Sequence, residues 1–452
     1  MKSWHDSLTV YADRRVLSLV FLGFASGLPL ALVYATLAAW LADSGVSLKE
    51  IGFVSLVGLA YSLKFLWSPL VDRLDLPVFG RLGRRRGWML LAQLGVIVAI
   101  LMMSGTDPGA DGGLSWTVIW AVALAFASAT QDIVIDAYRT EILADERLGA
   151  GAATLIFGYR IAMLTSGGGA LLIADWWGWQ AAYASMAVLM GVGIAAVLVN
   201  PEPGVQVTDR SRAIEESGHA WVGRFATLPA SARRLMNWIA DAVVAPFREF
   251  ASRPGWLYIL AFVALYKYGD ALLGTMATPF YLDIGFSLSE IGVITKGFGL
   301  AMTLLGAGFG GFLVARYGII EALLVAGILQ AVSNLFFAGL AMTGPSLAML
   351  SVTIAAENLT GGMGTAAFVA YLSSLCNIAY TATQYALLSS LMATARTILA
   401  SGAGIAAESM GWIWFFIGTT VAAAPGLLLL VWMMRRFPAP PPTGRLAGDT
   451  AL

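Results

Sequence analysis

Four carboxylates stand inside apolar sequence, where a charge is costly and is a candidate for function by default. Thr130-Gln131-Asp132-Ile133-Val134-Ile135-Asp136 sets two of them four residues apart, on one face of a helix. Tyr266-Lys267-Tyr268-Gly269-Asp270 puts a cation and a carboxylate three apart, again on one face, and Glu357-Asn358 supplies the last acid. Taking a carboxylate out of water penalises its charged form, and a like charge nearby adds to the penalty. Such groups can take up a proton on one side of a barrier and release it on the other, so Asp132, Asp270, Glu357 and Asp136 are the proton-coupling candidates. Five cations share the apolar sequence: Lys64, Arg160, Lys267, Lys296 and Arg396. Ion pairing with them is the competing role for Asp132, Asp270 and Glu357, and Asp136 is expected to pair with Arg139 at the membrane edge. The two histidines, His5 and His219, lie near the terminus and in a central loop, and Cys376 is the only cysteine. That leaves little material for a metal site or a nucleophile, which weighs against a membrane-embedded enzyme.

The elements that hold these groups follow from composition. The chain has 452 residues, 58% of them hydrophobic and 12% charged, about half the charge of a typical soluble domain. The uncharged runs 16–41 and 411–434 each exceed the ~20 residues a helix needs to cross a bilayer. Twelve apolar segments are expected: 16–42, 51–71, 87–106, 115–138, 150–174, 180–199, 255–281, 290–315, 319–342, 346–374, 383–405 and 411–434. The first lacks a small-residue cleavage site and reads as a retained segment rather than a signal peptide. With both termini cytoplasmic, the cytoplasmic loops hold 21 of the 27 Lys and Arg and the opposite side holds only Lys49, as the positive-inside rule requires. A net charge of zero gives no sign of a nucleic-acid partner.

The phrase DSGVSLKEIG (43–52) returns as DIGFSLSEIG (283–292), at an offset of 240. It joins segments 1 and 2, then 7 and 8, so two six-segment halves run in the same direction. Gly178-Trp179 and Gly411-Trp412 echo one another in the same way, as do Arg160 and Arg396. Parallel repeats of this kind, with a site near the midplane, describe the major facilitator fold, an all-α integral membrane architecture. The organisation expected is an N-terminal six-helix bundle (1–199), a cytoplasmic linker with an amphipathic helix over 228–250 (200–254), a C-terminal six-helix bundle (255–434) and a disordered tail (435–452). After segment 2, Asp72-Arg73 and then Gly83-Arg84-Arg85-Arg86-Gly87 resemble the gating loop of major facilitators. There a carboxylate and basic residues latch one conformation, although an insertion over 76–82 stretches the motif here.

Several stretches together resemble one family. FLGFASGLPL (21–30), KFLWSPL (64–70), GRRRGW (83–88), TQDIVIDAYRTEIL (130–143), LYKYGDAL (265–272), ENLTGGMGTAAFVA (357–370) and ATQYALLSSL (382–391) are similar in order to the AmpG muropeptide permeases. The resemblance implies proton-driven import of N-acetylglucosaminyl-1,6-anhydro-N-acetylmuramic acid and its peptides across the inner membrane of Gram-negative bacteria. It also implies a place in peptidoglycan recycling and, where that circuit exists, in β-lactamase induction. No cofactor beyond the proton gradient is implied, and a monomer is the default. A bulky solute, neutral at its sugars and acidic along its peptide, calls for aromatic faces, amides and a cation. Tyr34, Tyr266, Gln131, Asn358, Lys267 and Lys64 are the cavity candidates. A carrier of another bulky anion, such as an acyl-coenzyme A, is the alternative.

Overall fold

The computed structural model describes residues 9–204, 209–224 and 229–437. Helices cover all twelve expected segments, and no strand occurs among the described residues. Nine helical stretches among them are long and apolar enough to cross a membrane. One of the nine, Asp145–Val199, has 55 residues; it breaks at Gly178 (φ 85°) and so holds segments 5 and 6. Segments 2 and 10 fall outside the nine. Segment 2 is cut into short helices between Leu48–Val54 and Ser68–Arg73. Segment 10 is one helix, Leu347–Ser374, diluted by Glu357, Asn358, Thr360 and three glycines.

The helix breaks fall on candidate residues. Tyr34 interrupts segment 1 between Arg14–Val33 and Ala35–Asp43. Lys64 opens a 3-10 turn in segment 2, and Lys267 separates Trp256–Leu265 from Tyr268–Asp283. Irregular backbone at membrane depth is tolerated where it is buried in protein or lines a water-filled cavity, so these breaks mark the inner lining of the bundle.

The repeated phrase is a structural joint. Its Ser47 and Glu50 cap the Leu48–Val54 helix reciprocally, as Ser287 and Glu290 do in the second copy. Gly45 and Gly285 take positive φ (79° and 101°) to turn the chain. Asp43 accepts the Trp179 indole N–H at 2.7 Å, and Asp283 accepts that of Trp412 at 2.6 Å. The two sequence echoes are therefore halves of one device, an acid that ties the segment 1–2 corner to the segment 5–6 corner, and 7–8 to 11–12.

Glycine allows the closest helix approaches. A Cβ on Gly158 would run into the Val20 carbonyl in segment 1, and one on Gly306 into the Leu359 carbonyl in segment 10.

The linker holds more helix than its sequence suggested. Besides Ala230–Ile239 and its continuation to Ala251, a helix covers Asp209–Gly223, outside the 228–250 helix expected for the linker. The last helix, Trp412–Arg436, runs two residues beyond the expected boundary. The tail expected to be disordered lies, from residue 438, outside the described residues.

Candidate functional site

In the first half, Asp132 accepts a hydrogen bond from the Ser26 hydroxyl at 2.5 Å, which ties segment 4 to segment 1. One turn on, Asp136 lies between two cations, Lys64 Nζ at 3.7 Å and Arg139 Nη2 at 3.5 Å. The expected Asp136–Arg139 pair is present, and Lys64 shares it. Trp67 fixes the approach of segment 2 by donating to Thr130 Oγ1 at 3.1 Å and stacking near Phe126. Gln131 is fully buried, and neither amide atom has a hydrogen-bond partner among the described residues. Tyr34 is 40% exposed at its helix break, close to Tyr61.

The second half carries a matching cluster. Lys267 Nζ is 3.2 Å from Asp270 and donates to Gln330 Oε1 at 2.8 Å. Asn358 bridges: its Nδ2 donates to Glu357 Oε2 at 2.8 Å, and its Oδ1 accepts from Thr303 at 2.7 Å. Gly364 leaves room for this, since a Cβ there would crowd both Gln330 Oε1 and Lys267 Nζ. Ion pairing thus accounts for Asp270 and Asp136, whereas Asp132 and Glu357 have neutral hydrogen-bond partners. Tyr266 is buried in this conformation, stacks on Phe368 at 5.0 Å and donates its hydroxyl to the Leu323 carbonyl at 2.9 Å, with Lys267 Nζ 6.0 Å from its ring.

The gating loop closes one end. Asp72 is buried and accepts from the Ala382 N–H (3.1 Å), the Thr383 N–H (2.8 Å) and the Thr383 hydroxyl (2.7 Å). A carboxylate of the first half thereby sits on the N-terminus of the Thr381–Ala400 helix in the second, where unsatisfied N–H groups favour a negative charge. Arg85 holds the other side of the same carboxylate at 2.7 Å and grips Glu141. Arg84 donates to the Asp72 carbonyl at 2.8 Å. Arg86 instead turns to the carbonyls of Val197 and Leu198, while Glu202 accepts the Arg85 and Arg86 N–H groups. Arg73 pairs with Glu215 of the linker, which also accepts from Tyr380 at 2.9 Å. Nearby, Gln384 donates to Pro246 O at 3.0 Å and Glu249 at 2.7 Å. Arg139 stacks on the Tyr385 ring 5.4 Å away, and Tyr11 donates to Gly308 O at 2.6 Å. These cross-links between the halves gather at the end that carries the arginine loops.

Sequence reasoning missed Ser26, Gln330, Thr303, Glu141, Glu202 and Glu215. A buried amide in apolar segment 9 was a visible signal for Gln330. For the others the partners lie dozens to more than a hundred residues away, and nothing local marks them.

Residues 19–276 match the Major Facilitator Superfamily profile. The anhydromuropeptide permease of Escherichia coli K12 is 45% identical over 94% of this chain and 80% of its own length. A Rickettsia felis chain named AmpG 4 is 34% identical over 94% of this chain and 98% of its own. Among solved structures, the proton:xylose symporter XylE superposes with a TM-score of 0.61 at 13% identity, covering 96% of both chains. The human organic anion transporter MFSD10 gives 0.55 at 17% identity, over 95% of this chain and 100% of its own. At those identities the two structures speak for the fold alone. Full-length similarity, the family match and the two-cluster bundle agree, and this multi-pass membrane chain belongs to the major facilitator superfamily and, within it, to the anhydromuropeptide permeases.

Proposed function

We propose that the chain imports anhydro-muropeptides from periplasm to cytoplasm by alternating access, driven by the proton gradient and without a further cofactor. The observation that carries the cargo is the 45% identity to a permease named for it, over 94% of the chain. The finer assignments belong to the same reading. Twelve segments cross the inner membrane of a Gram-negative cell as two six-helix bundles joined by the linker, both termini are cytoplasmic, and the protein works as a monomer in peptidoglycan recycling. With the arginine loops inside, the cross-linked end is the cytoplasmic gate, and the conformation is open to the periplasm.

The chain's own groups suggest the cycle. Asp132, held among the described residues by a serine hydroxyl, and Glu357, held there by an amide, can gain a proton without breaking an ion pair. Asp270 and Asp136 can do so only by releasing Lys267 or Lys64. Either cation is then free for an acidic group of the cargo, which links proton binding to cargo binding.

The test is uptake of labelled anhydro-muropeptide into right-side-out vesicles, with and without an imposed inward proton gradient. Accumulation above equilibrium only with the gradient supports the full reading. Gradient-independent equilibration would keep the cargo and remove the coupling. Absence of uptake by the wild-type chain would remove the cargo.

A further inference from the structure

Of the five cations in the apolar segments, Lys64 and Lys267 have carboxylates at 3.7 Å and 3.2 Å. Arg160, Lys296 and Arg396 do not: among the described residues none of the three has a carboxylate oxygen within 4.0 Å, and the hydrogen-bond contact of Arg160 is a long one to Met163 Sδ at 4.0 Å. The carboxylates' ion pairing is thus met by Lys64 and Lys267, and Arg396 acts on Asp270 only at longer range. An arginine or lysine at membrane depth is too costly to leave facing lipid, so it must face water, protein or a ligand.

Helix periodicity shows which way they face. Arg160 follows Ala153 and Ile156 at i+7 and i+4, on one side of Leu148–Leu164. Ala153 and Ile156 pack against Ala307 and Ala366 of the second half. Arg160 thus continues the face turned toward the other half, beyond the point of contact. Arg396 lies eleven residues, three turns, after Tyr385 on Thr381–Ala400, and Tyr385 is the ring that meets Arg139 of the first half. It is exposed, and its Nη2 lies 3.8 Å from where a Cβ on Gly274 would stand. Lys296 is also exposed and precedes Ala307, which meets Ala153, by eleven residues.

Depth puts all three on the same level. At ~1.5 Å per residue, Arg160 is about 18 Å and Arg396 about 22 Å from the arginine-loop end of their helices, while Lys296 is about 12 Å from the opposite end. In a core of ~30 Å these positions lie past the middle, on the side away from the cross-linked end. One cation of the first half therefore stands with two of the second, and the carboxylate in electrostatic range of them, Asp270 near Arg396, is already paired with Lys267.

We propose that Arg160, Arg396 and Lys296 form a divided anion site that an acidic solute bridges, and that the neutralisation lets the open end close. The ligand class is a solute with two or more carboxylates, such as an acidic peptide. Like charges on facing walls resist closure, and a polycarboxylate held by both walls reverses that sign. Only the identity of the acid rests on the transport reading above; the site stands on geometry.

Two measurements test it. The first needs no cargo. In a Cys376→Ser background, Arg160→Cys and Arg396→Cys are each treated from the open side with thiosulfonate reagents of equal size, one anionic and one cationic. The expected result is reaction with both, with the anionic reagent favoured about ten-fold relative to a free thiol. That preference should fall to near unity when the remaining arginine and Lys296 become glutamine. Lack of reaction, or a preference unchanged by removing the other cations, overturns the site. The second measures binding of labelled anhydro-muropeptide with a tripeptide and of the same disaccharide without peptide. Arg160→Gln with Arg396→Gln should weaken the tripeptide form at least ten-fold and the peptide-free form less than three-fold. Equal effects on both overturn the proposal. A wild-type chain that binds neither removes the cargo reading, while the thiol measurement still decides the site.

Discussion

Asp72→Asn isolates the closure between the halves, because it keeps the side chain's size while removing its charge. The carboxylate accepts four hydrogen bonds, from Arg85, the Ala382 N–H, the Thr383 N–H and the Thr383 hydroxyl. An asparagine keeps one acceptor oxygen, and its NH₂ group must face a donor. At least one of the cross-half N–H groups then loses its partner. A hydrogen bond to a charged group contributes about 1.5–3 kcal/mol, and a negative charge at a helix N-terminus about 0.3–1 kcal/mol or somewhat more when buried. Opening that end wets the freed N–H groups and recovers part of this, which leaves about 2 kcal/mol against the closed end. Arg85 remains held by Glu141, so the loop itself should survive. A shift of about 2 kcal/mol is roughly 30-fold, enough to raise a 1% open population to about a quarter. Spin labels on Val78→Cys and Arg436→Cys in a Cys376→Ser background would read it as a second, longer distance in pulsed EPR. Thermal unfolding measured alongside separates a shift between conformations from general loss of stability. An unchanged distance distribution in Asp72→Asn would refute the reasoning, because it would show that the capped helix contributes nothing to keeping that end shut.

Four further outcomes are expected. Asp132→Asn abolishes gradient-driven accumulation while leaving exchange at equal pH measurable; wild-type accumulation would remove Asp132 from coupling. Gly158→Ala costs about 1–3 kcal/mol, the usual penalty for overpacking, because its methyl group meets the Val20 carbonyl; the melting temperature in detergent checks this. Hydrogen bonds from Ser47 hold Glu50 below the ordinary carboxylate range, so its capping is complete at neutral pH and is lost as pH falls through that lowered value. Amide exchange at the Leu48–Val54 helix start should quicken in acid, and Glu50→Gln should flatten that dependence. His219→Ala leaves uptake unchanged, since His219 makes an exposed pair with Asp241, of a kind that contributes about 0–1 kcal/mol.

What could be read in the sequence was what repeats or what is costly. The duplicated phrase marked two equivalent corners because each needs the same cap, the same glycine turn and the same acid for a distant tryptophan. In-segment charges marked the two clusters because hydrocarbon tolerates them only with partners or water. Pairing itself was not legible. Asp72 looks like a partner for nearby arginines, yet three of the four hydrogen bonds its carboxylate accepts come from a helix start some 310 residues away. Tyr266 sits beside Lys267, and nothing local marks the Phe368 ring and the Leu323 carbonyl as its partners. The Asp209–Gly223 helix escaped notice because its apolar residues are sparse, and Glu215 gives it a place between Arg73 and Tyr380.

The two ends of the bundle are held by opposite electrostatics, and that asymmetry gives the cycle a direction of control. At the arginine-loop end three acids are answered: Asp72 by Arg85 and a helix start, Glu141 by Arg85, Glu215 by Arg73. Opening this end separates opposite charges and uncovers N–H groups, so it needs a contribution from elsewhere. At the other end Arg160, Lys296 and Arg396 have no carboxylate oxygen within 4.0 Å among the described residues, and Asp270, in range of Arg396, is held by Lys267; on the proposal above, closing that end brings like charges together. Because the halves rock about a central site, closing one end and opening the other are a single motion that meets both penalties at once. An acidic solute removes the first by neutralising the cleft. On the proton-coupled reading proposed above, protonation of Asp270 or Asp136 would add a free lysine to hold that solute deeper in the bundle. Neither event alone meets both penalties, and this is the physical basis on which cargo and proton would have to move together.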